Sequence, residues 1–141
     1  MLLIDTSLWV ATYRDASGDV SRYVQSAVGP EEIVFCQFIR AELLQGCREE
    51  REWVRFVEYL DDQRYAEMSL GGWTEAARIY FELRQRGLTV RSTLDCCIAV
   101  VALEHDLTLL HNDQGFERIA SIRPLKHRRL ALDQFPRGSA I

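Results

Sequence analysis

The apolar positions switch repeatedly between short runs and helical spacing. Leu2 to Ile4 is a three-residue apolar run, and Asp5, Thr6 and Ser7 are helix-capping types placed just before Leu8, Trp9 and Val10. That pattern predicts a strand feeding directly into a helix. After a polar break at Asp15 to Gly18, Val20, Tyr23, Val24 and Ala27 recur at helical spacing until Gly29 and Pro30 stop them. Ile33 to Phe35 predicts a second buried strand. Ile39, Leu43 and Cys47 then repeat every four residues, giving an amphipathic helix over Gln37 to Cys47.

Glu49 to Asp61 continues helically on Trp53, Val54, Phe56, Val57 and Leu60, and Tyr65 to Met68 reads as a short extended piece. Thr74 to Arg86 predicts a helix closed by Gly87. Ser92 to His105 contains eight consecutive apolar residues, Cys96 to Leu103, so this helix is expected to be buried nearly all round. Leu107 to Leu110 predicts a strand, Gln114 to Ala120 a helix, and Ile122 to Leu125 a last strand. Residues 134–141 read as an irregular tail behind a single domain over 1–133. Strands alternating with helices imply an α/β fold whose mainly parallel sheet, of four to five strands, is covered on both faces.

Composition narrows the class without naming a function. The chain has 141 residues, 48% hydrophobic and 27% charged, with 8 Gly and 3 Pro, the profile of a water-soluble globule. No apolar run reaches the length of a membrane span and the amino terminus lacks a signal-peptide pattern, so a cytoplasmic protein is expected. Cys36, Cys47, Cys96 and Cys97 lack metal-ligand spacing and read as reduced, mostly buried thiols. A net charge of −4 argues against a simple basic nucleic-acid binder. Yet the positive charge is almost wholly arginine, the side chain that grips phosphate with two parallel hydrogen bonds.

Ligands of parallel sheets bind beyond the carboxyl ends of the strands. Asp5 follows the first predicted strand, Asp113 follows the strand at Leu107 to Leu110, and Asp95 opens the buried helix, so three acids fall at one sheet edge. Glu42 lies mid-helix. Counting 100° per residue, it falls at about 240° against a core stripe centred at about 340°, a shoulder able to look into a crevice. Each acid also has an ordinary explanation: Asp5 and Asp113 as helix caps, Asp95 as the end of a Ser92-x-x-Asp95 capping pattern, Glu42 as a solvated residue. If the four converge, their mutual repulsion calls for a cation. Oxygen-only ligands favour Mg²⁺ or Mn²⁺, which activate water against a phosphodiester. The implied chemistry is metal-assisted hydrolysis of a nucleic acid.

Asp5-Thr6-Ser7-Leu8-Trp9, Ala41-Glu42-Leu43, Leu94-Asp95-Cys96-Cys97-Ile98-Ala99 and His111-Asn112-Asp113-Gln114-Gly115-Phe116, in that order, resemble the PIN-domain ribonucleases, and among them the VapC toxins of bacterial toxin–antitoxin pairs. The resemblance covers nearly the whole chain. It implies a three-layer α/β/α fold and a Mg²⁺- or Mn²⁺-dependent endoribonuclease with Asp5, Glu42, Asp95 and Asp113 as catalytic and metal-binding residues. Thr6 or Ser7 would support the first acid. It further implies a homodimer, silencing by a cognate antitoxin, and structured RNA, transfer or ribosomal, as substrate. Two positions depart from many relatives: Gly115 stands where a further Asp is common, and His111 where Thr or Ser is common.

Arg118, Arg123, Lys126, Arg128 and Arg129 form the densest basic segment and are candidate RNA contacts, with a solvated face as the competing reading. Trp9 could stack on an unpaired base, although core packing is the expected role of Trp9, Trp53 and Trp73. Trp53, Phe56, Tyr59, Ile79, Tyr80 and Leu83 exceed what one small sheet needs and suggest a dimer or antitoxin face. The rival class is a non-catalytic PIN-like module that binds RNA or protein. A receiver-like phosphotransfer domain fits poorly, because Glu42 lies mid-helix and extra helices precede Thr74.

Overall fold

The computed structural model describes residues 1–136. In chain order it contains β1 (Leu2–Ile4), α1 (Thr6–Arg14), α2 (Asp19–Val28), β2 (Ile33–Val34), α3 (Gln37–Gln45), α4 (Glu50–Asp61), α5 (Gly72–Gln85), α6 (Thr93–Glu104), β3 (Thr108–His111), α7 (Gln114–Ala120) and β4 (His127–Arg129). The strands form one sheet in the order β2-β1-β3-β4, and every pairing is parallel. The expected α/β architecture with a central parallel sheet is therefore present, with four strands.

Alternation along β1 sorts the chain into layers, because successive strand side chains point to opposite faces. Leu3 enters the larger core with Val34, Leu109, Ile39, Ile79, Leu83 and the apolar body of α6. Leu2 and Ile4 face the other way, packing with Leu8, Val20, Val24, Val28, Leu110 and Leu130 beneath α2. The result is helix, sheet, helix. α6 carries the larger layer: Asp95 through Ala102 are all buried, as an uninterrupted apolar run requires.

Three local expectations are corrected. Ile122 to Leu125 is not a strand. Leu125 is buried and Ile122 packs on the core, but they do so from a turn containing Pro124, which has no N–H to give a ladder. The fourth strand is His127–Arg129, whose charged residues suit an edge with one neighbour and discourage pairing with another chain. Tyr65 to Met68 contributes only an isolated bridge from Tyr65 to Phe35. Trp53 and Trp73 are not core residues: they are 44% and 55% exposed, because α4 buries little beyond Leu60 and Trp73 lies on the surface of α5, packed edge-to-face with Phe38. Trp9 does pack inward, stacked on Phe35 with ring centroids 5.1 Å apart. Of the tail read as irregular, residues 137–141 lie outside the described residues.

Candidate active site

Asp5 and Asp113 owe their places to strand–helix junctions. Asp5 ends β1 and caps α1, accepting from the Ser7 backbone N–H and, at 2.7 Å, from the Ser7 hydroxyl. Asp113 stands in the same relation to β3 and α7, accepting from the Gly115 N–H at 2.8 Å. Because β1 and β3 are parallel neighbours, both caps emerge at one edge of the sheet. The capping role and the site role coincide: each carboxylate spends one oxygen on its helix and stands at the edge where ligands bind.

Asp95 does not serve as a cap. Ser92, at the N-cap of α6, makes no side-chain capping bond, and Asp95 is 3% exposed with its Oδ2 buried and without any hydrogen-bond partner. Burial pushes its pKa from 3.8 up to about 6, and the charges of Asp5, Asp113 and Glu42 all push it the same way, against the pull of Arg91. Glu42 is half-buried on α3, as its shoulder position predicts. The Thr6 hydroxyl donates to its Oε1 at 2.9 Å, while burial and the charge of Asp5 raise its pKa. Asp5, 2% exposed, is likewise raised by burial, with its Ser7 bonds working the other way. The four predicted acids thus share one field, and Thr6 and Ser7, the predicted supports, bond to Glu42 and Asp5 respectively.

A buried carboxylate oxygen with no partner costs stability unless something arrives to satisfy it. Asp5, Glu42 and Asp95, each raised in pKa by burial and by a neighbouring carboxylate, identify that something as a cation. Among the described residues no group of three or more His, Cys, Asp or Glu side chains forms a ready-made metal cage. The two observations are compatible for Mg²⁺, which keeps most of its waters and takes only one or two carboxylates directly. The oxygen-only donor set fits Mg²⁺ or Mn²⁺ better than zinc.

His111, a departure noted in the sequence, is fully buried beside the site. Its Nδ1 accepts from the Asp113 backbone N–H at 3.1 Å, so its proton sits on Nε2, which donates to His127 Nδ1 at 2.9 Å. Burial foremost, and then the neighbouring His127, pushes its pKa from 6.5 down to about 4. A neutral histidine therefore ties Asp113 to the edge strand. Gly115, the other departure, sits where a Cβ would stand 3.3 Å from Asp113 Oδ1 and 3.5 Å from Val90.

The predicted basic residues are not gathered at this edge, and each has a partner within the chain. Arg123 joins Glu75 and Glu82 of α5. Lys126 pairs with Asp106, Arg128 with Glu31, and Arg129 with Glu117. Arg118 donates to the Thr89 carbonyl and to Gln114. Arg129 also reaches Asn112, next to Asp113, which brings it to the rim of the site. The residue that sequence reasoning missed is Arg91, whose Nη2 lies 3.5 Å from Asp113 Oδ2. An isolated arginine in a loop carries no sequence signal; only its nearness to Asp95 along the chain hinted at it.

Fold and site together define an α/β domain with an acidic cluster at the carboxyl edge of a parallel sheet. The chain belongs to the PIN-domain family, whose sequence model matches residues 2–122. Ribonuclease VapC11 of Mycobacterium tuberculosis is 34% identical to it over 132 residues, which cover 89% of this chain and 96% of that one. Among solved structures, VapBC2 from Rickettsia felis bound to a promoter DNA fragment superposes with a TM-score of 0.71 at 19% identity, covering 92% of this chain and 98% of that one. VapBC-1 from nontypeable Haemophilus influenzae gives a TM-score of 0.70 at 19% identity, with 91% and 96% covered. The two structures carry the likeness in fold, and the VapC relative carries it in sequence.

Proposed function

We propose that this chain is the toxin component of a toxin–antitoxin pair. It acts in the cytoplasm as a Mg²⁺- or Mn²⁺-dependent endoribonuclease that hydrolyses phosphodiester bonds of structured RNA, transfer or ribosomal. The observation that carries the reading is Asp95 Oδ2, buried without a partner among three further carboxylates. Relatives named VapC ribonucleases and neighbours solved as VapBC complexes support it.

Asp5, Glu42, Asp95 and Asp113 are the residues that would hold the ion. When bound, a divalent ion lowers the pKa of water and offsets charge on the phosphate and its leaving oxygen. The chain's own part is to keep four carboxylates in place. Ser7 fixes the rotamer of Asp5, Thr6 fixes Glu42, His111 and the α7 cap fix Asp113, and the apolar helix α6 holds Asp95 in a dry setting that strengthens every charge around it. Arg128 and Arg129 on the edge strand are the best placed of the basic segment to meet RNA. The exposed aromatic residues of α4 and α5, Trp53, Tyr59 and Trp73, are our candidates for the contact with a second copy or with a cognate antitoxin.

The deciding experiment incubates total cellular RNA with the purified protein and Mg²⁺ or Mn²⁺, alongside EDTA and Asp95→Asn controls, and sequences the new ends. Discrete cuts that need both metal and Asp95 are expected. A folded protein that binds RNA but makes no cuts would instead be a non-catalytic binding module.

A further inference from the structure

An RNA backbone entering this site meets Asp5, Glu42, Asp95 and Asp113, whose charges repel it. Beside the ion that the acids would hold, a protein cation at the same rim adds a second group to receive a phosphate. Among the described residues, Arg91 is the cation whose charge acts on Asp95 and Glu42 while its guanidinium stands against Asp113. It belongs to the segment between α5 and α6, four residues before Asp95.

The backbone around Arg91 is pinned while its side chain is not. Val90, the preceding residue, is 6% exposed and packs where the absent Cβ of Gly115 leaves room. The carbonyl of Thr89 accepts from Arg118 Nη1 at 2.6 Å, which ties the loop to α7, the helix that Asp113 caps. Yet the Arg91 side chain is 68% exposed, and its 3.5 Å approach to Asp113 is longer than a charge-assisted hydrogen bond. Exposed pairs of that kind contribute little and exchange readily. The neighbouring arginines are held more closely: Arg123 is 19% exposed between two carboxylates, and Arg128 and Arg129, less exposed than Arg91, meet Glu31 and Glu117 at 3.0 and 2.8 Å. A guanidinium with a fixed base, a free head and one weak partner is suited to take a phosphate through two parallel hydrogen bonds.

We propose that Arg91 is a substrate-contacting catalytic residue: its guanidinium exchanges the Asp113 carboxylate for the backbone phosphate of RNA at the scissile bond. This rests on the ribonuclease reading, and the two are separable by experiment.

The test measures equilibrium binding of fluorescein-labelled total transfer RNA and of a ribosomal RNA stem-loop across a salt series, in EDTA and again in Ca²⁺. The unaltered protein is compared with Arg91→Ala and Arg91→Lys, Mg²⁺ affinity is measured calorimetrically without RNA, and Mg²⁺-dependent cleavage is assayed in parallel. Arg91→Ala is expected to weaken RNA binding about tenfold and to lower the slope of log affinity against log salt by about one, the loss of one phosphate contact. Mg²⁺ affinity should hold or rise, since a competing cation has gone. Arg91→Lys should recover the slope but not the full affinity, because an ammonium has no fork. RNA affinity and salt slope unchanged in Arg91→Ala would overturn the assignment. If cleavage by the unaltered protein still needs metal and Asp95 in that case, the ribonuclease reading survives and Arg91 is only a counter-ion. An unaltered protein that neither binds RNA nor cleaves it overturns both.

Discussion

Thr6 donates its hydroxyl to Glu42 Oε1 at 2.9 Å, a bond across 36 positions of chain that joins the first turn of α1 to the middle of α3. It gives Glu42, the one acid not set by a strand end, a fixed direction. It also opposes the burial that raises the pKa of Glu42. Thr6→Val keeps the shape and removes the donor. Metal-dependent cleavage is expected to fall about ten- to a hundredfold, as when a ligand's supporting hydrogen bond is lost. The acid limb of the pH–rate profile should move to higher pH, and Thr6→Ser should restore both. An unmoved profile in Thr6→Val would show that α3 alone orients Glu42.

Asp95 costs the fold stability at neutral pH, and the sign follows from its protons. Its folded pKa, about 6, lies above the ordinary 3.8, so between those values the folded protein holds a proton that the unfolded chain has released. Stability falls as pH rises through that window, and above it the penalty is fully present, at most ~3 kcal/mol. Asp95→Asn should therefore raise the melting temperature in EDTA at about pH 7.5, with the gain disappearing toward about pH 4. Mg²⁺ should stabilise the unaltered protein and not the variant, which should also lose cleavage. A variant no more stable than its parent at neutral pH would mean that Asp95 finds a partner in solution.

Much of this was legible along the chain, for reasons tied to particular residues. The run Cys96 to Leu103 is too short for a membrane span and sits inside a stretch from Ser92 to His105 that has no glycine or proline, the length of a helix rather than a strand, so α6 and Asp95 at its head were readable. Asp5 and Asp113 were readable because a capping residue after an apolar run marks a strand–helix junction. The last strand was not, since Arg128 and Arg129 face solvent on an edge and carry no apolar signal, while Leu125 is buried from a turn. The exposure of Trp53 and Trp73 was hidden for the opposite reason: helical spacing reports that a face is apolar, not that anything covers it. Arg91 and the pairing of His111 with His127 depend on contacts between segments, which periodicity does not encode.

His111 has the opposite pH signature to Asp95. Held neutral with a pKa near 4, it leaves the unfolded chain binding the extra proton between about pH 6.5 and about pH 4. Stability is lost as pH falls through that window, by up to ~3 kcal/mol. His111→Gln offers an amide oxygen to the Asp113 N–H without titrating. Unfolding free energies in EDTA should then differ from the parent by a smaller acid loss between about pH 7 and about pH 4.5. Because Asp95 titrates over an overlapping range with the reverse sign, the comparison is made between each variant and its parent, which cancels the other group. A parallel loss in both proteins would remove His111 from the account.

The basic segment should separate into two kinds of residue. Arg123 is largely covered and clasped by Glu75 and Glu82, so it anchors the turn at Ile122 to Leu125 against α5. Arg128 and Arg129 lie on the open edge of β4, 44% and 43% exposed, with Arg129 touching the residue beside Asp113. Arg123→Ala is expected to lower the melting temperature by about 3 °C or more and to leave the salt dependence of RNA binding alone. The double change Arg128→Ala with Arg129→Ala should do the reverse, sparing the melting temperature and reducing the slope of log affinity against log salt by about two. The exposed pairs with Glu31 and Glu117 contribute little to stability, and phosphate oxygens can take over both guanidinium groups. Melting curves and salt titrations on the same preparations decide it: an unchanged slope in the double variant would take the edge strand out of the RNA interface, and a changed slope in Arg123→Ala would bring the α5 clasp into it.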